Sequence, residues 1–248
     1  NQLRQWARIE QPFCLMLSWG PPHDPYLEMP KEYLDAYDPT TLRLPPTVED
    51  APANPLYGEG SGGINREEIA GYYAHVTALD RCFGRLLDCL KETGLDENTL
   101  VIFSSDHGDM LWNHGLQRKS LPYRESVNIP MIARWPGYIP AGRLADAPVG
   151  IVDVTPTLLG MVGAEVPVGM DGRDLSPYFC GDESAAPEAA FMDTPTIPNG
   201  FDFESWRGIV TRTHTYARDV NGPWILFDDS NDPWQQRNLV ENPDYRAL

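Results

Sequence analysis

Residues 99–137 read TLVIFSSDHGDMLWNHGLQRKSLPYRESVNIPMIARWPG, and the fold class turns on its two apolar runs. The first, TLVIFSSD (99–106), is short, apolar and closed by polar residues, as a strand buried in a sheet is. The second, NIPMIARW (128–135), has the same character. From the end of the first run onward come Asp106, His107, His114 and, twelve residues after His107, Lys119. Gly108 lets the backbone turn sharply as it leaves the first strand.

Upstream of this stretch the periodicity changes. Ile69, Tyr72, Tyr73, Val76, Leu79, Phe83, Leu86, Leu87 and Leu90 recur at steps of three and four, which predicts a helix. Asn65 stands where a cap belongs, Glu68 follows as in a capping box, and Gly94 ends the run. Earlier still, PFCLMLSW (12–19) is almost wholly apolar and is expected to form a buried strand. GPPHDPY breaks it, which would place His23 and Asp24 at a strand's carboxyl end, where α/β sheets carry their sites. Residues 43–63, RLPPTVEDAPANPLYGEGSGG, form a long loop of the kind that is often functional. Strand, long crossover, helix and strand together predict a parallel α/β sheet.

Downstream, DVTPTLLGMVG (153–163) reads as a short helix with Asp153 as cap and Pro156 in the first turn. After about residue 182 the texture alternates: RGIVTRTHTYARD, then Asn221-Gly222, then PWILFDD. Asn-Gly between strand-like runs signals a hairpin, so a small antiparallel subdomain is expected over 183–248, after a larger α/β portion over 1–182.

The composition narrows the classes. A hydrophobic fraction of 42% over 248 residues builds a sizeable core. Net charge is −17, from 36 acids against 19 bases, which argues against nucleic acid as partner and fits a solvated acidic surface or a cation site. No apolar run reaches the roughly 18 residues that a membrane span needs. Cys14, Cys82, Cys89 and Cys180 show no CxxC pair and are read as packing residues, leaning to a reducing compartment. The chain opens on NQLRQWARIEQPF, without Met, as the middle of a longer chain would.

Asp supplies a hard oxygen and His an imidazole nitrogen, so Asp106 and His107 suit a divalent cation whose further ligands come from elsewhere. Lys119 is a compact charge suited to a tetrahedral anion. A metal and a lysine together suggest a bound, polarised sulfate or phosphate ester. On spacing alone the same residues also fit a helix cap, a hydrogen-bonded core histidine and a solvated lysine.

The order Asp-His-Gly-Asp-Met-Leu, His-Gly-Leu, Lys, Pro-Tyr-x-Glu-Ser, Ile-Pro-Met-Ile, Trp-Pro-Gly closely resembles the sulfatase family, of the alkaline phosphatase superfamily. PFCLMLSWGPPHDPY, the helix YYAHVTALDRCFGRLLDCLKETGL, DVTPTLLGMVG, MDGRDLSPYFCG and LFDDSNDPWQQRNLVENP resemble it in the same order. The resemblance implies an alkaline-phosphatase-like three-layer α/β/α sandwich, present in part, with a small carboxyl-terminal antiparallel β subdomain. It implies Asp106 and His107 as metal ligands, although many members have Asn where His107 stands; it favours Ca²⁺, and the imidazole of His107 leaves room for Mn²⁺ or Mg²⁺. It implies Lys119 on the sulfate oxygens, and His23 as a sulfate contact that helps protonate the leaving alcohol. His114 would shape the loop; His75 and His214 would be structural, and Asp80 a buried hydrogen-bonding residue. Trp112 stands where Gly is usual, and Asn113 where Asp or Glu is usual.

One family feature is absent. Sulfatases carry Cys-x-Pro-x-Arg, whose Cys becomes the formylglycine nucleophile, and an early Asp-Asp pair for the metal; this sequence has neither. The expectation is therefore the carboxyl-terminal part of a sulfatase, needing an amino-terminal half for its nucleophile and for folding. Its substrate would be a sulfate-ester small molecule or glycan, with Trp19, Tyr26 and Trp112 as candidate ring-stacking residues. The alternatives are a phosphodiesterase or phosphonate hydrolase of the same superfamily, and a non-catalytic anion- or metal-binding remnant.

Overall fold

The structure, a computed structural model, describes residues 2–9, 11–49, 63–194 and 204–246. Most of the expected loop at 43–63 lies outside the described residues. In chain order the elements are α1 (Gln2–Trp6), α2 (Lys31–Leu34), α3 (Pro46–Glu49), α4 (Arg66–Glu92), β1 (Val101–Ser104), α5 (Arg124–Val127), β2 (Met131–Arg134), α6 (Val154–Met161), α7 (Ser176–Phe179), β3 (Ala189–Thr194), β4 (Trp206–Thr211), β5 (His214–Asp219) and β6 (Gly222–Asp228). Two compact units interleave along the chain. One lies within Asn1–Pro45, Gly62–Leu100 and Trp135–Gly137; the other within Pro46–Ser61, Val101–Arg134 and Tyr138–Leu248.

The first unit is organised by α4. Asn65 accepts from the Glu68 amide at 3.1 Å, satisfying one of the orphan donors of the first turn. At the other end the Leu95 amide donates to the Leu90 carbonyl and the Gly94 amide to Lys91, with Gly94 at φ 70°. That pair of bonds is a Schellman closure, which needs a left-handed residue and finds glycine. Ile69, Ala70, Ala74, Cys89 and Leu90 are buried, whereas Val76 is exposed and the tyrosines are half-buried. Tyr26 meets Tyr72 edge-on at 6.0 Å, and Tyr37 meets Tyr73 at 5.8 Å. Gly71 is required by proximity: a Cβ there would strike the Tyr26 carbonyl. Asp80, expected to be buried, faces solvent on this helix.

Residues 12–19 depart from expectation. They form no strand and are almost all exposed, Met16 by 87%. An apolar composition favours a strand only when a neighbouring ladder takes its amides and carbonyls, and no described strand pairs with this one. Cys14 and Cys180 are likewise exposed rather than packed, while Cys89 is buried; all four thiols are free.

The second unit holds both sheets. β1 and β2 pair antiparallel, Val101 opposite Arg134 and Ser104 opposite Met131; the parallel unit expected of 12–19 and 99–106 is not seen among the described strands, since 12–19 forms none. The connection between them, 105–130, is occupied by loop and the single turn of α5 rather than by a long crossover helix, and it lets the chain return beside itself. The other sheet has the order β3-β4-β5-β6, all antiparallel. The alternating stretch 207–219 folds as a hairpin of its own, turning at Arg212-Thr213. The turn of the β5–β6 hairpin falls on Val220-Asn221, one residue earlier than the Asn-Gly pair suggests, with Gly222 opposite Asp219. The Asp219 carboxylate accepts from the Asn221 and Gly222 amides at 2.7 and 3.1 Å and sets that turn. Trp206, Ala217, Ile225 and Phe227 form the core behind this sheet.

Asp153 occupies the N-cap position of α6, but its side chain makes no capping hydrogen bond there. Its oxygens accept from the Gly150 amide at 3.1 Å and the Arg173 amide at 2.8 Å, tying two loops together, while Pro156 does sit in the first turn.

Candidate active site

β1 ends at Ser104, and Asp106 and His107 leave it two residues later. The Asp106 side chain is 84% exposed and that of His107 36%. One Asp106 oxygen accepts from the His107 amide at 3.0 Å and from the Ser105 hydroxyl at 3.3 Å. Partial burial pushes the Asp106 carboxyl upward, but the His107 ring, the neighbouring amides and Ser105 together outweigh it and hold the group below the usual carboxylate range. It is therefore ionised at neutral pH.

His107 Nδ1 stands 2.7 Å from the Gly108 carbonyl oxygen. A carbonyl only accepts, so Nδ1 carries the hydrogen, and in the neutral ring Nε2 is left as the lone-pair nitrogen. That nitrogen is 3.6 Å from Asp106 Oδ2. A single cation with ligands at about 2.1–2.4 Å spans such a gap. Hard carboxylate, correctly oriented imidazole and open exposure fit a divalent cation. Two donors leave most of its shell to other groups, and among the described residues no cluster of three or more His, Cys, Asp or Glu side chains is placed to complete it.

Gly108 owes its identity to packing. Its amide donates to the Ser126 carbonyl at 2.8 Å, and a Cβ on it would run into the Glu125 carbonyl oxygen. The sharp-turn account from sequence is replaced by this close approach of two backbones.

The loop from 110 to 120 is strained along its length. Six described non-glycine residues have positive φ, and five of them lie here: Leu111, Trp112, His114, Arg118 and Ser120. Such residues persist only where the surroundings over-determine them, and they concentrate at functional sites. The constraints are visible. The Met110 amide donates to the Arg118 carbonyl at 2.6 Å and folds the loop back. The buried Asn113 accepts from the Thr47 hydroxyl at 2.5 Å and donates to the Met110 carbonyl at 2.7 Å. Met110, Leu116 and Leu121 pack beneath it. His114 lies over Tyr123 with ring centroids 4.6 Å apart, and its Nε2 is 3.5 Å from Glu125 Oε2. Burial first, and the Glu125 charge second, push the Tyr123 hydroxyl pKa up. Lys119 is half-buried, between Arg118 and Ser120.

His23 lies in the first unit, in a turn closed by its own amide to the Gly20 carbonyl at 3.1 Å. Its Nδ1 faces the Asp24 carbonyl at 2.9 Å and the Asp24 carboxylate at 2.7 Å. Asp24 thus orients the ring. Tyr26 and Trp112, considered for ring stacking, are both buried, while Trp19 is partly exposed. His75 is buried in α4; His214 is in β5, with its Nδ1 2.9 Å from the Thr213 hydroxyl oxygen.

Several supporting residues escape a reading by pattern. Trp206 donates its indole N–H to the Ser120 carbonyl at 2.8 Å across 86 residues of sequence. Gln235 accepts from the Arg124 amide at 2.9 Å and donates to Asp229 at 2.7 Å. Glu125 and Tyr123 did carry a local signal, the Pro-Tyr-x-Glu-Ser run.

Comparison with known proteins bears on this arrangement. The sulfatase family model matches residues 1–164, and the model for the carboxyl-terminal part of N-sulphoglucosamine sulphohydrolase matches 112–248. The chain is 36% identical over 250 residues to an ulvan-active sulfatase of Formosa agariphila, covering 99% of this chain and 47% of that protein. A solved structure from Bacteroides thetaiotaomicron, described with the metabolism of multiple glycosaminoglycans, superposes with a TM-score of 0.79 at 30% identity, covering 98% of this chain and 54% of that one. Another, solved with its substrate D-glucosamine-2-N,6-O-disulfate, superposes with a TM-score of 0.68 at 29% identity, covering 73% and 38%. The chain spans about half the length of the curated relatives it matches. Its fold is alkaline-phosphatase-like, mixed α/β with antiparallel sheets.

Proposed function

From the premise that the chain belongs to the sulfatase family, of the alkaline phosphatase superfamily, we propose that the protein hydrolyses sulfuric esters. The observation that carries this is the Asp106–His107 pair: an ionised carboxylate and an imidazole nitrogen of fixed tautomer, 3.6 Å apart, at the mouth of β1. Asp106 and His107 would hold a divalent cation, Ca²⁺ foremost, since an open carboxylate is a hard donor. When bound, the cation supplies charge that polarises the sulfate oxygens.

Lys119 places its ammonium on those oxygens and opposes the charge that grows on the bridging oxygen, a role that is often the largest catalytic contribution. His23, oriented by Asp24, protonates the departing alcohol. His114 holds the loop through Tyr123 and Glu125. The formylglycine nucleophile belongs to the proposal for the whole protein; no Cys-x-Pro-x-Arg occurs in these 248 residues. A sulfated saccharide is the proposed substrate class, supported by the sugar disulfate bound to one structural neighbour. The division at 182/183 is retained as a proposed subdivision, since β3–β6 begin after it. No observation here favours phosphonate or phosphodiester chemistry over sulfate.

The test is sulfate release by the full-length protein from 4-nitrophenyl sulfate and from sulfated saccharides. Lys119→Ala is expected to lower kcat/KM by about 10²-fold or more, in line with the loss of comparable electrostatic donors. Asp106→Ala is expected to weaken Ca²⁺ binding measured by calorimetry. Turnover near that of the wild type in Lys119→Ala would overturn the assignment.

A further inference from the structure

Lys119 stands between two left-handed residues, Arg118 at φ 66° and Ser120 at φ 74°. The carbonyl of each is tied. Arg118 O accepts from the Met110 amide at 2.6 Å, within the loop itself. Ser120 O accepts from the Trp206 indole N–H at 2.8 Å, from the first residue of β4. Trp206 is 3% exposed and packs with Ala217, Ile225 and Phe227, so its ring is seated in the core of the sheet.

We propose that Trp206 is a positioning residue for Lys119: its indole N–H pins the Ser120 carbonyl and so fixes the direction in which the lysine leaves the backbone. A non-glycine residue keeps a left-handed backbone only where its surroundings impose it. Released from Trp206, Ser120 relaxes toward the extended region and the Lys119 Cα–Cβ vector turns with it. A lysine stem is flexible, so the backbone is where its ammonium is aimed. Displacements of about 1 Å in a charged catalytic group cost up to about 10²-fold in rate. The carboxyl-terminal sheet is, on this account, the backing plate of the anion clamp.

The inference rests on the Lys119 role proposed above, and the experiment separates the two. Trp206→Phe keeps an aromatic ring in the core and removes the one donor. In the full-length protein it is expected to lower kcat/KM for 4-nitrophenyl sulfate at least tenfold. On a Lys119→Ala background the same change is expected to add nothing, because Trp206 acts through the lysine. Additive losses would mean a merely structural role and would overturn the proposal. A second readout needs no turnover: the acetylation rate of Lys119 by an N-hydroxysuccinimide ester, followed by peptide mass spectrometry with Lys31 and Lys91 as internal references. It is expected to change at least threefold in Trp206→Phe while the references stay constant. An unchanged Lys119 rate overturns the proposal whatever the kinetics. A wild type that releases no sulfate overturns the sulfatase reading instead, and the acetylation rate still decides the role of Trp206.

Discussion

Trp112 holds φ 64° and ψ 4°, a left-handed backbone of the kind that glycine adopts at least cost. Two effects oppose each other there. Replacing it by glycine removes strain of about 1–2 kcal/mol. It also removes a side chain that is only 6% exposed, and losing a buried tryptophan costs about 3–5 kcal/mol. Packing is the larger quantity, so Trp112→Gly is expected to lower stability by about 2 kcal/mol, read from urea unfolding. A more stable variant would mean that the tryptophan is poorly packed. The neighbouring Asn113 shows the same adaptation: its amide both accepts from Thr47 and donates to Met110, a pairing that a carboxylate at this position would make only in part. The motif could be found by residue type, but its strain was not visible, because φ is set by what surrounds a residue.

At the scale of elements, α4 was the most legible. Its start and its stop each have a local cause: Asn65 on the Glu68 amide, and Gly94 in the Schellman turn. Asn65→Ala is expected to lower stability by about 1 kcal/mol, measured by thermal or urea unfolding; no change would mean that water replaces the cap. The short runs were harder. VIFS and MIAR were recognisable as strands, yet nothing within them states which strand they meet or in which direction, and they pair antiparallel. PFCLMLSW has a more apolar sequence than either and forms no strand. A strand is a property of two segments, whereas a helix closes its hydrogen bonds within one.

For the molecule as a whole, His75 ties stability to pH. It is 3% exposed in α4, and burial pushes its pKa below the ordinary value of 6.5, with the Tyr26 backbone working the other way. Above that ordinary value both folded and unfolded chains hold the ring neutral, and it contributes no pH dependence. As pH falls through it, the unfolded chain takes up the proton first, so stability is lost until the folded value is passed. Urea midpoints at pH 7.5 and 5.5 are expected to show this loss, and His75→Leu to show a smaller one; an equal slope in both would remove His75 as the cause.

The sequence alone determined the family, α4 with both its ends, the hairpin of β5 and β6, and the types of residue gathered after β1, because each is written in neighbouring residues or in a motif. Only the tertiary structure decided that Gly108 is forced by the Glu125 backbone, that five residues of the Lys119 loop are held left-handed, and that Trp206 and Gln235 brace that segment from the far end of the chain. These are contacts between residues up to 111 positions apart. Local composition carries no record of such distances, since the free energy that fixes them arises only when the separate segments pack against one another.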